Sequence, residues 1–301
     1  MTRSGFVGLA GRPNVGKSTL VNAIVGAKVA IVSDRPQTTR RAARGIATDE
    51  TAGWQMVLVD LPGVQRPRDR LTGRMQRRVV HELEEAETAL LVVNGEQGIG
   101  PGDRFIAKAL LGARAAVAGA IPVICAVNKV DRLSPGETAA ALAAAAELES
   151  VDEVFPVSAK AGTGLPELVE RLAELLPEGP MLYPPEERTD RASEVHLGEL
   201  VREQVLRRTR EEIPHAVEVV VDEAREREDG IYEVRAQIWV ESESQKGILI
   251  GKGGRMVREV GIAARKELER ELSSQVFLDL KVRVKEHWRR DEGLLDHLGI
   301  E

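Results

Sequence analysis

Residues 11–18 read Gly-Arg-Pro-Asn-Val-Gly-Lys-Ser, the spacing G-x-x-x-x-G-K-[ST]. A loop of this composition turns its backbone N–H groups inward and, with the N-terminus of a following helix, forms a nest for phosphate oxygens. Gly11, Arg12, Pro13, Asn14, Val15 and Gly16 would wrap the phosphates. Lys17 would place a cation at the β/γ position, Ser18 would hold Mg2+, and Thr19 would join the GTP contacts. Phosphate binding does not select a base. Asn128-Lys129-Val130-Asp131 does, because the Asp131 carboxylate can accept from guanine N1–H and the 2-amino group, and adenine has neither donor there. A site built on such bonds rejects an analogue that leaves a polar group unpaired. Lys129 would lie along the base plane. Ser158-Ala159-Lys160 is a weaker signal that counts only in this company; its Ala159 N–H would reach guanine O6.

A switch also needs contacts to the γ-phosphate. Asp60-Leu61-Pro62-Gly63 fits D-x-x-G, with Asp60 toward the Mg2+ shell and the Gly63 N–H toward the phosphate. The second sensor is expected at Thr39, inside Pro36-Gln-Thr-Thr-Arg40, so that Ser18, Thr39 and Asp60 share the metal; Thr38 is the competing choice. A lone Asp or Thr on a loop is ordinarily a turn or cap residue. Five elements in this order reverse that reading. Val64 follows Gly63, where Ras-type enzymes carry a glutamine that orients the attacking water. Slow intrinsic hydrolysis or a different catalytic device is therefore expected.

Such loops must hang from the ends of strands. From Gly5 to Leu176 short apolar runs alternate with amphipathic stretches, the pattern of an α/β domain with a mostly parallel sheet, here a P-loop NTPase of Ras-like type. Strands are predicted at Gly5–Ala10, Gly45–Thr48, Trp54–Asp60, Thr88–Val93, Ile121–Val127 and Glu153–Pro156. The Ala-rich segment Thr138–Leu148 reads as a helix, since alanine is the best helix former and Ser134-Pro135 is a plausible start. A Pro/Glu-rich stretch then marks a semi-stiff spacer. The expected division is a GTP-binding domain at 1–176, a linker at 177–194 and a second domain at 195–301.

The second domain reads as a helix (Val195–Glu211), two strands (Ala216–Glu223, Ile231–Glu241), two helices around Gly251-Lys-Gly-Gly254, and a last strand (Val276–Lys285). The order αββααβ is that of an α+β type II KH domain. In that fold a G-x-x-G loop clamps about four nucleotides of single-stranded RNA. Lys246, Ile250, Gly251, Lys252, Gly253, Gly254 and Arg255 are the candidate RNA contacts, with Ile248, Ile250 and Val257 lining an apolar groove. A lone G-x-x-G is more often a packing corner, but residues 246–290 hold 12 Lys/Arg against 6 Asp/Glu in a chain of net charge −6. The positive charge is local, which suits a polyanion. Lys281, Arg283 and Lys285 share one strand face, and Trp288 either stacks on bases or closes the core.

Composition excludes other classes. With 43% hydrophobic and 30% charged residues, the chain is neither disordered nor fibrous. The longest apolar stretch, Ala115–Val127, contains Pro122 and falls short of the ~20 residues of a spanning helix. No secretory signal is read at the start, and a cytoplasmic protein is expected. The single cysteine, Cys125, lies in an apolar run and reads as a core thiol. His81, His196 and His215 lack metal-ligand spacing, and no acceptor site for a phosphate-transferring metabolic enzyme is evident.

The whole chain resembles the Era family of bacterial GTPases, the match including Pro36-Gln-Thr-Thr-Arg40 and Ile250-Gly-Lys-Gly-Gly254. The resemblance implies a GTP/GDP cycle with Mg2+, binding near the 3′ end of 16S ribosomal RNA, a role in assembly of the 30S subunit, and peripheral association with the cell membrane. A monomer is expected. Leu61 departs from the family's usual threonine, whereas Val64 keeps its hydrophobic substitution. GTPases that share Asn14 in the phosphate loop use a bound K+ in place of an arginine finger. Lys17, Asn14, Thr39 and Gly63 are thus the residues expected to act on the γ-phosphate. A membrane-associated or cell-cycle signalling GTPase, with the KH-like domain as a protein or lipid platform, is the competing function.

Overall fold

The computed structural model describes residues 2–35, 38–64, 69–116 and 121–300. The chain forms two compact units: Met1–Ala30 with Thr39–Arg68 and Thr72–Asp190, and Ile31–Thr38 with Asp69–Leu71 and Arg191–Glu301.

The first unit is built on β1 (Arg3–Ala10), α1 (Lys17–Val25), β2 (Ala43–Asp49), β3 (Trp54–Asp60), α2 (Arg70–Glu84), β4 (Thr88–Asn94), α3 (Pro101–Ala116), β5 (Val123–Asn128), α4 (Pro135–Ala146), β6 (Glu153–Val157) and α5 (Leu165–Leu175). The sheet order is β2-β3-β1-β4-β5-β6. Every pairing is parallel except β2 with β3. β4 and β5 are buried at every position, as expected for central strands covered on both faces. The register sets Leu9 beside Asp60, Asn94 beside Asn128, and Asn128 beside Val157. The loops after β1, β3, β5 and β6 therefore leave one edge of the sheet at their carboxyl ends, where open α/β sheets bind ligands.

The six predicted strands are all present, with ends moved by up to two residues. The Ala-rich helix starts at Pro135, the start expected from Ser134-Pro135, because Ser134 caps it. The Ser134 Oγ accepts the Glu137 N–H at 3.3 Å and Glu137 Oε2 accepts the Ser134 N–H at 2.8 Å, a reciprocal box. Cys125 is fully buried, and burial pushes its thiol up to about 12, as a core residue should behave.

Residues 177–190, assigned to the spacer by composition, run along the first unit. The Ser4 N–H donates to the Pro177 carbonyl and the Ile46 N–H to the Arg188 carbonyl. Gln55 Oε1 accepts the N–H groups of Leu182 and Tyr183, at 2.7 and 2.9 Å. Proline cannot ladder into a sheet, so a buried glutamine and the β2 edge supply the partners instead.

The second unit holds α6 (Ser193–Arg208), α7 (Ile213–Ala216), β7 (Glu218–Glu226), β8 (Tyr232–Val240), α8 (Glu243–Ile250), α9 (Arg255–Leu272), β9 (Val276–Val284) and α10 (Glu292–His297). Its sheet runs β7-β8-β9, the first pair antiparallel and the second parallel. Without the short helices α7 and α10 the order is αββααβ, the type II KH arrangement. Trp288 is fully buried and donates its indole N–H to the Ala216 carbonyl at 2.8 Å. It closes the core and offers no stacking surface.

Candidate functional site

The phosphate loop turns sharply between β1 and α1. Gly16 has φ +103°, and a Cβ there would lie 2.3 Å from Asn128 Nδ2, so only glycine fits. Lys17 is buried, and its Nζ donates to the carbonyls of Gly11 and Arg12 at 3.1 and 3.2 Å. Desolvation brings its pKa down to about 8, against the pull of Asp60. A cation so held favours an incoming polyphosphate, which in turn favours its charged form. The Arg12 guanidinium turns away to Asp103 on α3 (2.9 Å), which leaves the loop backbone of Arg12 for any ligand.

At the metal corner the Ser18 hydroxyl donates to Asp60 Oδ2 at 2.6 Å, and the Thr39 hydroxyl reaches the same oxygen at 3.2 Å. The two hydroxyl oxygens are 3.2 Å apart. Three oxygen donors with one buried carboxylate suit a hard cation such as Mg2+ that keeps some of its waters. Among the described residues no cluster of His, Cys, Asp and Glu offers an alternative. Thr38 does not enter this corner, because its hydroxyl donates to the Arg35 carbonyl at 2.6 Å. Pro36 and Gln37 lie outside the described residues.

Gly63 passes the phosphate loop so closely that a Cβ would lie 2.8–3.0 Å from Pro13. The Val64 N–H donates to the Gly11 carbonyl at 3.3 Å, and its side chain packs against the apolar cluster under β3 and β4. Leu61 is fully buried in the same cluster, which accounts for an apolar residue there. Gln76 of α2 donates its amide to the Gly63 carbonyl at 3.3 Å.

The loops after β5 and β6 are organised by Asn128, which its tetrapeptide marks only as a nucleotide contact. Its Nδ2 donates to the Val15 carbonyl at 2.9 Å, and its Oδ1 accepts from Lys129 N (2.8 Å) and Ala159 N (3.0 Å). One amide thus ties the phosphate loop, the loop after β5 and the loop after β6. The Ala159 N–H, assigned to guanine O6, is here donated to Asn128. Asp131 is exposed, and Ser158 Oγ donates to its Oδ1 at 2.6 Å. That bond holds the carboxyl below its usual range, so it stays ionised and acceptor-only. Lys129 spans to the Asn14 carbonyl at 3.0 Å, and both residues adopt positive φ. Lys160, the third residue of the loop after β6, is exposed.

In the second unit the glycine loop joins α8 to α9. Gly251, Gly253 and Gly254 have φ of 69°, 61° and 76°, and a Cβ at Gly253 or Gly254 would meet nothing within 4 Å. The loop is therefore open for a phosphate to approach its backbone. Lys252 is exposed, Lys246 pairs with Glu243, and Arg255 pairs with Glu259 at 2.8 Å. Beyond Gly254 runs a groove of about 590 Å3 between α9 and β9, lined by Val257, Arg258, Ile262 and Arg265 facing Phe277 and Asp279. Ile262 and Phe277 are exposed. Of the three predicted apolar liners only Val257 lies in it; Ile248 and Ile250 do not. The spacing 258, 262, 265 along one helix face was the available signal for the rest.

A phosphate loop and an Asn-Lys-x-Asp tetrapeptide at the carboxyl ends of a six-stranded mostly parallel sheet, with a KH unit, together define a P-loop GTPase joined to a nucleic-acid-binding module. A family model described as a 50S ribosome-binding GTPase matches residues 6–129, and a KH domain model matches residues 212–289. The chain is 45% identical over 303 residues to the GTPase Era of Carboxydothermus hydrogenoformans, covering 99% of this chain and 98% of that protein. It is 46% identical over 301 residues to the GTPase Era of Mycolicibacterium smegmatis, with 99% of each covered. The chain belongs to the Era family and is a GTPase. Among solved structures it is similar to Era in complex with MgGDPNP and nucleotides 1506–1542 of 16S ribosomal RNA, with TM-score 0.93, 32% identity, and 100% and 99% of the two chains covered. A point variant of Aquifex aeolicus Era bound to GDP·AlF4− matches equally, at TM-score 0.93 and 32% identity over 99% of each chain. No helix among the described residues is long and apolar enough to cross a membrane.

Proposed function

We propose that the protein is a GTP-controlled RNA-binding factor that recognises 16S ribosomal RNA near its 3′ end and assists assembly of the 30S subunit. The observation that carries this reading is the full-length likeness to an Era that holds MgGDPNP and a 16S fragment together. The GTP-binding domain is placed at 1–176 and the RNA-binding domain at 195–301, with 177–194 between them. A monomer working in the cytoplasm, with peripheral contact at the cell membrane, completes the assignment.

In this reading the loop 11–18 cradles the phosphates, Lys17 neutralises their charge, and Asp131, held by Ser158 on the loop that also carries Lys160, reads guanine, while Ala159 braces Asn128. Ser18, Thr39 and Asp60 would hold Mg2+, which when bound would supply positive charge to the phosphate oxygens. The Gly63 N–H faces the γ-phosphate. With Val64 apolar, no side chain there can orient water, so hydrolysis is slow without help. We assign Asn14 to a K+ ion that would supply the positive charge other GTPases take from an arginine; replacing K+ by Na+ should lower turnover, and equal rates in the two salts would remove K+ from the assignment.

The RNA reading rests on the open glycine loop and on the positive charge around it. Gly253→Asp puts a carboxylate where a phosphate should sit, at a position whose φ of 61° already disfavours a side chain. Binding of a labelled 16S 3′-end oligonucleotide should be lost in that variant while GTP affinity stays as in the parent. RNA binding that persists would overturn the KH assignment.

A further inference from the structure

Helix α6 is buried on more faces than an amphipathic helix needs. Leu197, Leu200, Val201 and Val205 fill the apolar cluster of the second unit, yet the polar residues Glu199, Arg202 and Glu203 are buried as well. Positions 199, 202 and 203 share one helical face. Buried charge is tolerated only when it is paired and hydrogen bonded. The segment Ile31–Thr38, part of the same unit, supplies the partners. Ile31 enters the apolar cluster, Glu203 Oε1 accepts the Val32 N–H at 2.9 Å, and Arg202 Nη2 donates to the Thr38 carbonyl. Arg202 is itself held by Glu199 at 3.2 Å and Glu218 at 3.8 Å, and is fully buried.

Glu203 and Arg202 thus hold the segment near both its ends. The second hold falls on a peptide with a particular neighbour. The carbonyl oxygen of Thr38 and the Cα of Thr39 lie in one rigid peptide plane. Fixing that oxygen fixes the direction from which Thr39 leaves, and the Thr39 hydroxyl is the one found beside Ser18 and Asp60. Thr38 itself is spent on the Arg35 carbonyl, so its side chain does not compete for the corner.

We propose that Arg202 is a positioning residue for GTP hydrolysis: by holding the Thr38 carbonyl it orients the Thr38–Thr39 peptide and so presents the Thr39 hydroxyl to the metal corner. The residue lies 163 positions beyond Thr39 in the chain, on a helix that no nucleotide motif marks. Lysine cannot replace it, because only the planar fork can serve the carboxylates and the carbonyl together. The inference rests on the assignment of Thr39 to the Mg2+ shell.

The test is a double-mutant cycle in the full chain with Arg202→Lys, Thr39→Ala and the pair. Affinities for GDP and for GDPNP with Mg2+, the turnover number and the melting temperature are read for each. Arg202→Lys should leave GDP affinity within about twofold and weaken GDPNP affinity and turnover about tenfold, as a coupling of ordinary size would. The pair should match Thr39→Ala alone, since both act on one hydroxyl. Equal losses for GDP and GDPNP, an unchanged GDPNP/GDP ratio whatever the melting temperature, or additive losses in the pair would each overturn the proposal. Arg202→Gln, which keeps an N–H donor without the fork, takes its place in the cycle if the lysine variant does not fold. Should Thr39→Ala alone leave the GDPNP/GDP ratio unchanged, the Thr39 assignment fails first, and the role of Arg202 with it.

Discussion

Asp131 is shaped by a neighbour in the loop after β6: the Ser158 hydroxyl at 2.6 Å keeps its carboxylate ionised and leaves the other oxygen side open to a base. Asp131→Asn removes the charged acceptor, so GTP affinity should fall about a hundredfold or more while xanthosine triphosphate, which accepts where guanine donates, gains affinity. Nucleotide competition measurements check this; unchanged preference would remove Asp131 from the base site. Lys17 gives a pH signature. Its value of about 8 lies below the 10.5 of an unburied lysine, so between these two the unfolded chain holds more protons and the nucleotide-free protein should gain stability as pH rises through that window. Nucleotide binding has the opposite sign. Phosphates favour the ammonium form, so GTP affinity should fall as pH rises above about 8, and calorimetry in two buffers should register proton uptake there.

At the scale of elements, local chemistry was the most legible part of the sequence. Ser134 and Glu137 close a reciprocal cap on α4, and Ser134→Ala should cost about 1 kcal/mol in urea denaturation, leaving nucleotide binding unchanged. The phosphate loop, Asp60 and Asp131 could be read because their contacts lie within short motifs. What escaped reading lies across long separations. Asn128 looked like a ligand contact because nothing in its tetrapeptide says that its amide bridges Val15 and Ala159. Gln55 sits in an apolar strand, and its partners are Thr48 on β2 and the backbone of Leu182 and Tyr183, far along the chain. The groove beside the glycine loop takes its facing wall, Phe277 and Asp279, from β9, a pairing that no local pattern announces. Trp288 could have served a base or a core; the Ala216 carbonyl settles it.

For the whole molecule, an acidic chain with a basic stretch at residues 246–290 should bind RNA in a strongly salt-dependent manner. The logarithm of the association constant should fall with the logarithm of salt by about 0.7 per phosphate contacted on a single strand. Gly253→Asp should abolish that dependence together with the binding. The central claim is that the guanine nucleotide governs RNA recognition. It is tested most directly by the dissociation constant of the full chain for the 3′-terminal 16S sequence, measured with GDPNP and with GDP at one Mg2+ and salt concentration. Binding about tenfold tighter with GDPNP is expected, the size of a typical coupling between two sites. Equal affinity in the two nucleotide states would contradict the account.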